Sequence, residues 1–188
     1  MMSENMELLR KTTSGSGDRR EDNFDKKALF GKARHPRTAL FYKREWAFVK
    51  NQSMRENIAY QMQYVEFMIH LYNDYQVYLT IESLLCEDII VAIGGIVEAA
   101  LFDGIYQARK KLGQEMLDRT DFTILLGQAH HEYKLISKEL WHFFHNLRKV
   151  RNNVHLRSAD FKEHNAYTVD QVNRAIEKLE EFRKELEV

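Results

Sequence analysis

The sequence predicts an all-α protein, folded as an up-and-down bundle of four to six helices. Three observations favour this class. The chain has 188 residues, enough for one sizeable core; it contains only 8 glycines and a single proline, Pro36; and its apolar residues recur every three or four positions over long stretches. Strand-rich domains depend on more frequent turn residues, so long helices with short connections are expected.

The domain organisation follows from where the apolar pattern begins. Residues 1–37 are polar, include the run SGSG at positions 14–17 and show no sustained apolar period. A segment of this composition buries too little apolar surface to hold one conformation. We therefore expect a mostly flexible N-terminal tail over residues 1–37 and a single helical domain over residues 38–188.

Two long helical regions open the predicted domain. From about Thr38 to Tyr78 the apolar spacing predicts one amphipathic helix or two, with a break near Asn51 to Ser53. A second helix is expected from about Ile81 to Leu112, and its centre is apolar nearly all round, as in a helix against which the others pack. Gly94-Gly95 inside it costs roughly 1 kcal/mol per glycine relative to alanine. Close packing of another backbone, for example across a dimer, is the expected compensation.

Capping residues mark the helices that follow. Gly113 ends the second long helix, Asp121 can cap a shorter one, and Ser137 can cap the next. Thr168, with Gln171 three positions later, forms a capping box before the C-terminal helix. The apolar stripe of that last helix consists of Val172, Ile176, Leu179, Phe182 and Leu186.

Charge and cysteine content exclude several classes of protein. Lys and Arg total 28, as do Asp and Glu, so no overall field attracts polyanions and any nucleic-acid contact must come from a local patch. Cys86 is the single cysteine, which excludes an internal disulfide framework and a cysteine-rich zinc site and fits a buried, inert thiol. The longest apolar or glycine run, Ile89 to Val97, is far shorter than the roughly 20 residues of a membrane helix. Because the N-terminus also lacks the apolar core of a secretion signal, we expect a cytoplasmic protein without membrane contact.

The helix that Ser137 caps carries the residues best suited to chemistry. On a helical wheel, four polar residues lie within an arc of roughly 100°: Arg148, Arg151, Asn152 and His155. The stripe expected to face the core consists of Leu140, Phe143, Leu147, Val150 and Val154. Two guanidiniums, one carboxamide and one imidazole therefore share a face.

This combination of side chains suits cleavage of RNA, in which the ribose 2′-hydroxyl attacks its neighbouring phosphate and no metal is obligatory. An imidazole can remove or donate the proton, while guanidiniums stabilise the charge that builds on the phosphoryl oxygens. No acidic residue occurs between positions 148 and 157, so Lys149 and Arg157 would add attraction for the RNA backbone. The candidate catalytic residues are Arg148, Arg151, Asn152 and His155.

The segment LRKVRNNVHL at positions 147–156 resembles the motif of the HEPN superfamily. In that motif an arginine, a polar residue that is usually Asn, and a later histidine lie on a late helix of a bundle. Arg148 stands six intervening residues before His155. Arg151 is followed directly by Asn152 but stands only three intervening residues before the histidine. Either arginine can be the catalytic equivalent.

The resemblance implies a fold, an activity and partners. It covers Tyr42 to the C-terminus in helix order and implies an HEPN-like bundle that acts as a metal-independent endoribonuclease, leaves a 2′,3′-cyclic phosphate, and builds one site from two protomers. The segment GGIVEAAL is similar to the acidic, apolar helix that precedes the motif in many members, which implies that Glu98 orients an active-site arginine. By the same analogy the protein is a toxin or defence effector controlled by a cognate antitoxin or regulatory protein. Arg157 stands where many toxins paired with nucleotidyltransferases have a tyrosine.

Other functions fit the same residues. The chain could be a non-catalytic HEPN-like module that binds RNA, nucleotide or a partner protein through the basic face, or a structural helical oligomer. A metal site is not expected: the Glu139 to His142 step needs a second such step, and His142 with His145 lacks a third ligand. No cofactor is expected either. We interpret four histidines as structural or surface residues: His70, His130, His131 and His164. Trp141 is expected at the edge of the core.

Overall fold

A computed structural model describes residues 35–115, 120–152 and 167–187, with side chains as far as residue 149 in the second range. Within these ranges the chain forms six α-helices and no strand, which confirms the expected all-α helical bundle. The helices are α1 (Ala39–Glu45), α2 (Gln52–Asp74), α3 (Leu79–Lys111), α4 (Phe122–Gly127), α5 (Lys138–Asn152) and α6 (Val169–Glu187). A compact unit begins at Pro36. The tail expected over residues 1–37 lies almost wholly outside the described residues.

Helix α3 forms the centre of the bundle, as its apolar sequence predicted. It packs against α2, α4, α5 and α6. Its completely buried side chains include Ile93, Val97, Leu101 and Ile105. Gly113, two residues after the end of α3, has φ +67°, a left-handed conformation that glycine adopts without strain. Although α3 is long, none of the helices in the described ranges combines the length and apolar character that crossing a membrane requires.

The break between α1 and α2 is fixed by a buried carboxylate. Trp46 and Val49 in the short connection are buried, and Asn51 caps α2 by accepting a first-turn backbone N–H at 3.1 Å. Asp103 of α3, only 3% exposed, accepts the backbone N–H groups of Lys50 at 2.8 Å and Asn51 at 2.9 Å. The central helix therefore determines where α2 begins.

A second buried carboxylate, Glu66 of α2, holds the first described residues. Glu66 accepts the backbone N–H of Arg37 at 2.7 Å and its Nε–H at 3.0 Å, and the hydroxyl of Tyr42 at 2.6 Å. The Arg37 guanidinium also lies 4.4 Å from the ring centroid of Phe41. Arg37, the last position of the expected tail, is thus bonded to α2.

The predicted caps of α4 and α6 are confirmed. Asp121 accepts two backbone N–H groups of α4, at 2.7 and 3.1 Å. Thr168 and Gln171 exchange hydrogen bonds of 3.0 and 3.3 Å. Helix α4 continues into a π-helical turn, Gln128–Glu132, which the sequence pattern did not indicate. In the stripe of α6, Val172, Leu179 and Phe182 are buried and Ile176 and Leu186 are half-buried.

The close packing expected at Gly94-Gly95 is not found at Gly95. A Cβ atom added there would meet no atom of the described residues within 4 Å. Gly104 of α3 does face neighbours, because a Cβ atom added there would lie 3.4 Å from Leu135 and 3.8 Å from Leu186. Gly94 is buried, whereas Gly95 is only half-buried.

Candidate functional site

Helix α5 begins at its predicted cap and packs through one apolar stripe. The N–H of Leu140 donates to the Ser137 hydroxyl at 3.3 Å. Leu140 and Leu147 are buried as expected, but the aromatic residue between them in the core is Phe144, not Phe143, which is only half-buried. Phe144 meets Phe182 of α6 edge-on, with ring centroids 5.4 Å apart. On the helical wheel both phenylalanines lie close to the stripe. Contact with Phe182 favours the inward position of Phe144.

The C-terminal turns of α5 carry the predicted arginine motif. Arg148, Arg151 and Asn152 all belong to the continuous helix, three and four residues apart, so their backbones follow one another along one side of it. Arg148 is half-buried and Lys149 is exposed. For Arg151 and Asn152 only the backbone is described, and His155 and Arg157 lie outside the described residues. Their predicted roles stay predictions.

Arg148 is near enough to the start of α4 for its charge to act on Asp121. The pKa of Asp121 is lowered chiefly because its carboxylate accepts the N–H of Ile124, with the positive charge of Arg148 contributing last. The Nε atom of Arg148 is buried and has no hydrogen-bond partner among the described residues. The Asp121 carboxylate is therefore occupied by capping, and the guanidinium keeps donors that a phosphate could use.

A cluster of five rings occupies the N-terminal half of α5, and sequence reasoning missed it. We call it the ring cluster: Trp141, His142 and His145 of α5, and His130 and His131 of the π-helical turn. The imidazoles of His130 and His145 lie nearly parallel to the indole, at centroid distances of 5.8 and 5.6 Å. His131 and His142 meet the indole at steeper angles, at 5.3 and 4.6 Å. The spacing of His142 and His145 along α5 indicated that these two rings share a face. The other two histidines come from the π-helical turn, a separate element.

The ring cluster borders the cations of the arginine motif. Loss of hydration lowers the pKa of His145, and the positive charges of Lys149 and Arg148 lower it further. The two permanent cations beside His145 thus disfavour a positive charge on its imidazole. Among the ring-cluster histidines only His130 makes a hydrogen bond within the described residues, between its Nδ1 and the carbonyl oxygen of Ile136 at 3.1 Å.

The remaining candidates stand apart from this face. Glu98 is half-buried on α3; its pairing with an active-site arginine stays a prediction. Within the described residues no three His, Cys, Asp or Glu side chains are placed to hold a metal ion. The Glu139 carboxylate of the Glu-x-x-His step is bonded to Lys178 of α6 at 2.6 Å instead.

A cavity of about 330 Å³ lies at the C-terminal end of α3, lined by Tyr106, Arg109, Lys110, Gly113, Gln114 and Glu115. Neither Arg148 nor the ring cluster is among the described residues that line it. Compared with protein-family models, with characterised proteins and with solved structures, the chain finds no match. The side chains of α5 and their surroundings are therefore the basis on which a function can be proposed.

Proposed function

We propose that this chain is a metal-independent endoribonuclease of the HEPN type. The ribose 2′-oxygen of RNA attacks the adjacent phosphorus, the bond from phosphorus to the 5′-oxygen breaks, and the products are a 2′,3′-cyclic phosphate and a 5′-hydroxyl. His155 removes the proton of the 2′-hydroxyl or donates a proton to the departing 5′-oxygen. Arg151 or Arg148 stabilises the charge on the phosphoryl oxygens, and the carboxamide of Asn152 donates a hydrogen bond to them. The nucleophile belongs to the substrate, so the protein supplies only proton transfer and charge stabilisation.

One observation carries the proposal: the unbroken course of α5 through Asn152. It brings Arg148 and the Arg151-Asn152 pair to the same side of the helix within its last two turns. Arg148 adds a buried Nε without a partner in the described part of the chain.

We propose that two copies of the chain assemble into a dimer, as the resemblance to HEPN proteins implies. An exposed aromatic row on α2 consists of Tyr60, Tyr64 and Phe67, at spacings of four and three residues. Leu84 of α3 is 51% exposed, and the hydroxyl of Tyr64 donates to Asp88 of α3 at 3.4 Å. An apolar patch that spans two helices is typical of a protein interface. A second subunit would cover it.

The test uses the full chain, mixed RNA and a chelator. We expect cleavage with 2′,3′-cyclic phosphate ends, lost in Arg151→Ala and His155→Ala and retained in Arg174→Ala, an exposed arginine of α6. Comparing Arg148→Ala with Arg151→Ala by kcat identifies which arginine stabilises the phosphoryl oxygens. Cleavage that persists at full rate in the Arg151→Ala, His155→Ala double variant refutes the mechanism.

A binding module without catalysis is the alternative. It predicts salt-sensitive RNA binding by the wild-type chain with no product, because phosphate contacts release counterions. If cleavage is observed, the resemblance also predicts that the cell holds an antitoxin or regulatory protein that limits it. Coexpression that suppresses the toxicity of the chain would identify that partner.

A further inference from the structure

The geometry points to a second part of the RNA site: we propose that the ring cluster is a subsite that stacks a nucleobase of single-stranded RNA beside the arginine motif. This inference rests on the proposed function, because it takes RNA as the substrate. It adds a base-binding element that the arginine motif does not contain. Three features support it: the geometry of the rings, their small structural contribution, and their position along α5.

The rings form a surface of the right kind. His130 and His145 lie nearly parallel to Trp141, with interplanar angles of 27° and 24°. His131 and His142 are exposed, and the other three rings are half-exposed. Proteins that bind unpaired RNA stack its bases on tryptophan and histidine rings, and such stacking tolerates any base because every base has a flat face.

Packing of the core does not account for the rings. The core stripe of α5 is Leu140, Phe144 and Leu147, and Trp141 lies beside it. Of the four imidazoles, His130 alone has a structural bond within the described ranges, to the carbonyl oxygen of Ile136. Four histidines around one half-exposed indole bury little apolar surface and make few bonds, so their contribution to stability is small.

The charges near the rings suit a nucleic-acid backbone. Lys149 and Arg148 lie close enough to His145 to lower its pKa, so phosphate-binding cations adjoin the rings. The acidic group of α5, Glu139, is bonded to Lys178 and is drawn toward α6. Glu132 of the π-helical turn is the nearest acid in sequence and is exposed to solvent. A groove that binds single strands combines the same two elements, flat rings and adjacent cations.

The order of residues along α5 sets the spacing between the parts of a bound strand. Trp141 precedes Asn152 by eleven residues, a distance of about 16 Å along the axis of a helix. Arg148 and Lys149 lie between them. RNA lying along α5 would place one base on the ring cluster, phosphates at the two cations, and the scissile bond at the arginine motif, a few nucleotides away.

Tryptophan fluorescence tests this directly, because the chain has two tryptophans and Trp46 is completely buried. Titrating a single-stranded RNA oligonucleotide into the full-length His155→Ala chain should quench the emission of Trp141. The quench should be absent in Trp141→Phe and much smaller for a matched RNA duplex. Loss of one stacked base weakens binding about 5- to 150-fold, so His142→Ala combined with His145→Ala should raise the Kd at least about fivefold. Asn146→Ala, an exposed change on the same helix, should leave the Kd unchanged.

The outcomes separate this subsite from the proposed catalysis. RNA binding without a quench, or an unchanged Kd in the double histidine variant, overturns the subsite even if the wild-type chain cleaves RNA. A quench that depends on Trp141, found with a chain that shows no cleavage, supports the subsite while the proposed endoribonuclease fails. Circular dichroism of each variant confirms that the helices are retained, so a change in Kd reports on binding.

Discussion

Replacement of Tyr42 by phenylalanine is expected to change how the stability of the bundle depends on pH. Tyr42 is 1% exposed, and its hydroxyl donates to Glu66 at 2.6 Å. Burial raises the pKa of Tyr42 far above its ordinary value of about 10, and the negative charge of Glu66 raises it further. The folded protein therefore keeps this phenol protonated at a pH where the unfolded chain ionises it.

Two magnitudes follow from this geometry. A hydrogen bond to a charged group contributes about 1.5–3 kcal/mol, so Tyr42→Phe should lower the free energy of unfolding by about 2 kcal/mol at pH 7. Above about pH 10 the unfolded state of the wild-type chain releases a proton that the folded state retains. Stability then falls with rising pH, by up to about 1.4 kcal/mol per pH unit from this one group. The variant lacks that contribution, so the gap between the two proteins should narrow in alkali.

Urea unfolding followed by circular dichroism between pH 7 and 11 measures both effects. Tyr78→Phe is the matched control, because Tyr78 is 64% exposed and lies outside the aromatic row proposed as a dimer interface. Other groups also titrate in this range, including Cys86, whose pKa burial raises to about 11. The quantity of interest is therefore the difference between variant and wild type. A difference that stays constant from pH 7 to 11 would refute the assignment of this alkaline sensitivity to Tyr42.

Three further changes test other parts of the fold. Gly95→Ala should raise the free energy of unfolding by up to about 1 kcal/mol, because the new methyl group meets no atom of the described residues within 4 Å; a lower melting temperature at every protein concentration would contradict this. Asp103→Asn should lower it by about 1–3 kcal/mol, because two N–H groups at the start of α2 bind different carboxylate oxygens and asparagine offers only one acceptor oxygen; an unchanged urea midpoint would speak against that role. Cys86, buried and with its pKa raised to about 11, should react with a thiol reagent at pH 8 far more slowly than free cysteine does, and equal rates would show that it is accessible.

The long elements could be predicted from sequence because their signals are local. The predicted helix from Ile81 to Leu112 matches α3 (Leu79–Lys111) to within two residues at each end. Helix α6 begins at its predicted capping box. Apolar periodicity and caps involve residues three or four positions apart, so the amino-acid sequence displays them directly.

The buried carboxylates could not be predicted in this way. Asp103 bonds to residues more than fifty positions earlier, and Glu66 bonds to Tyr42 across 24 positions. In sequence each looks like an ordinary acid on a helix, for which a solvated position is usual. Only the packing of α1 and α2 against their neighbours brings N–H and O–H donors to these oxygens and makes their burial tolerable.

The candidate site contains one feature that local sequence signals predicted and one that depends on contacts between separate elements. The arginine motif was visible because its members are neighbours on one helix. The ring cluster was not, because His130 and His131 reach Trp141 from the π-helical turn. Phe143 and Phe144 illustrate the limit of a helical wheel: both flank the stripe, and contact with Phe182 selects Phe144.

Positive charge at the end of α5 would be expected even in a protein that binds no RNA. The C-terminal end of a helix carries a partial negative charge, so Arg148, Lys149 and Arg151 stabilise α5 wherever it is used. Charge alone therefore does not separate an RNA site from an ordinary helix end. The separating feature is the group of partly exposed rings on α5 in the two turns before Arg148. These rings do not improve the helix, and together with the adjacent cations they suit a ligand that offers phosphate oxygens and flat bases together.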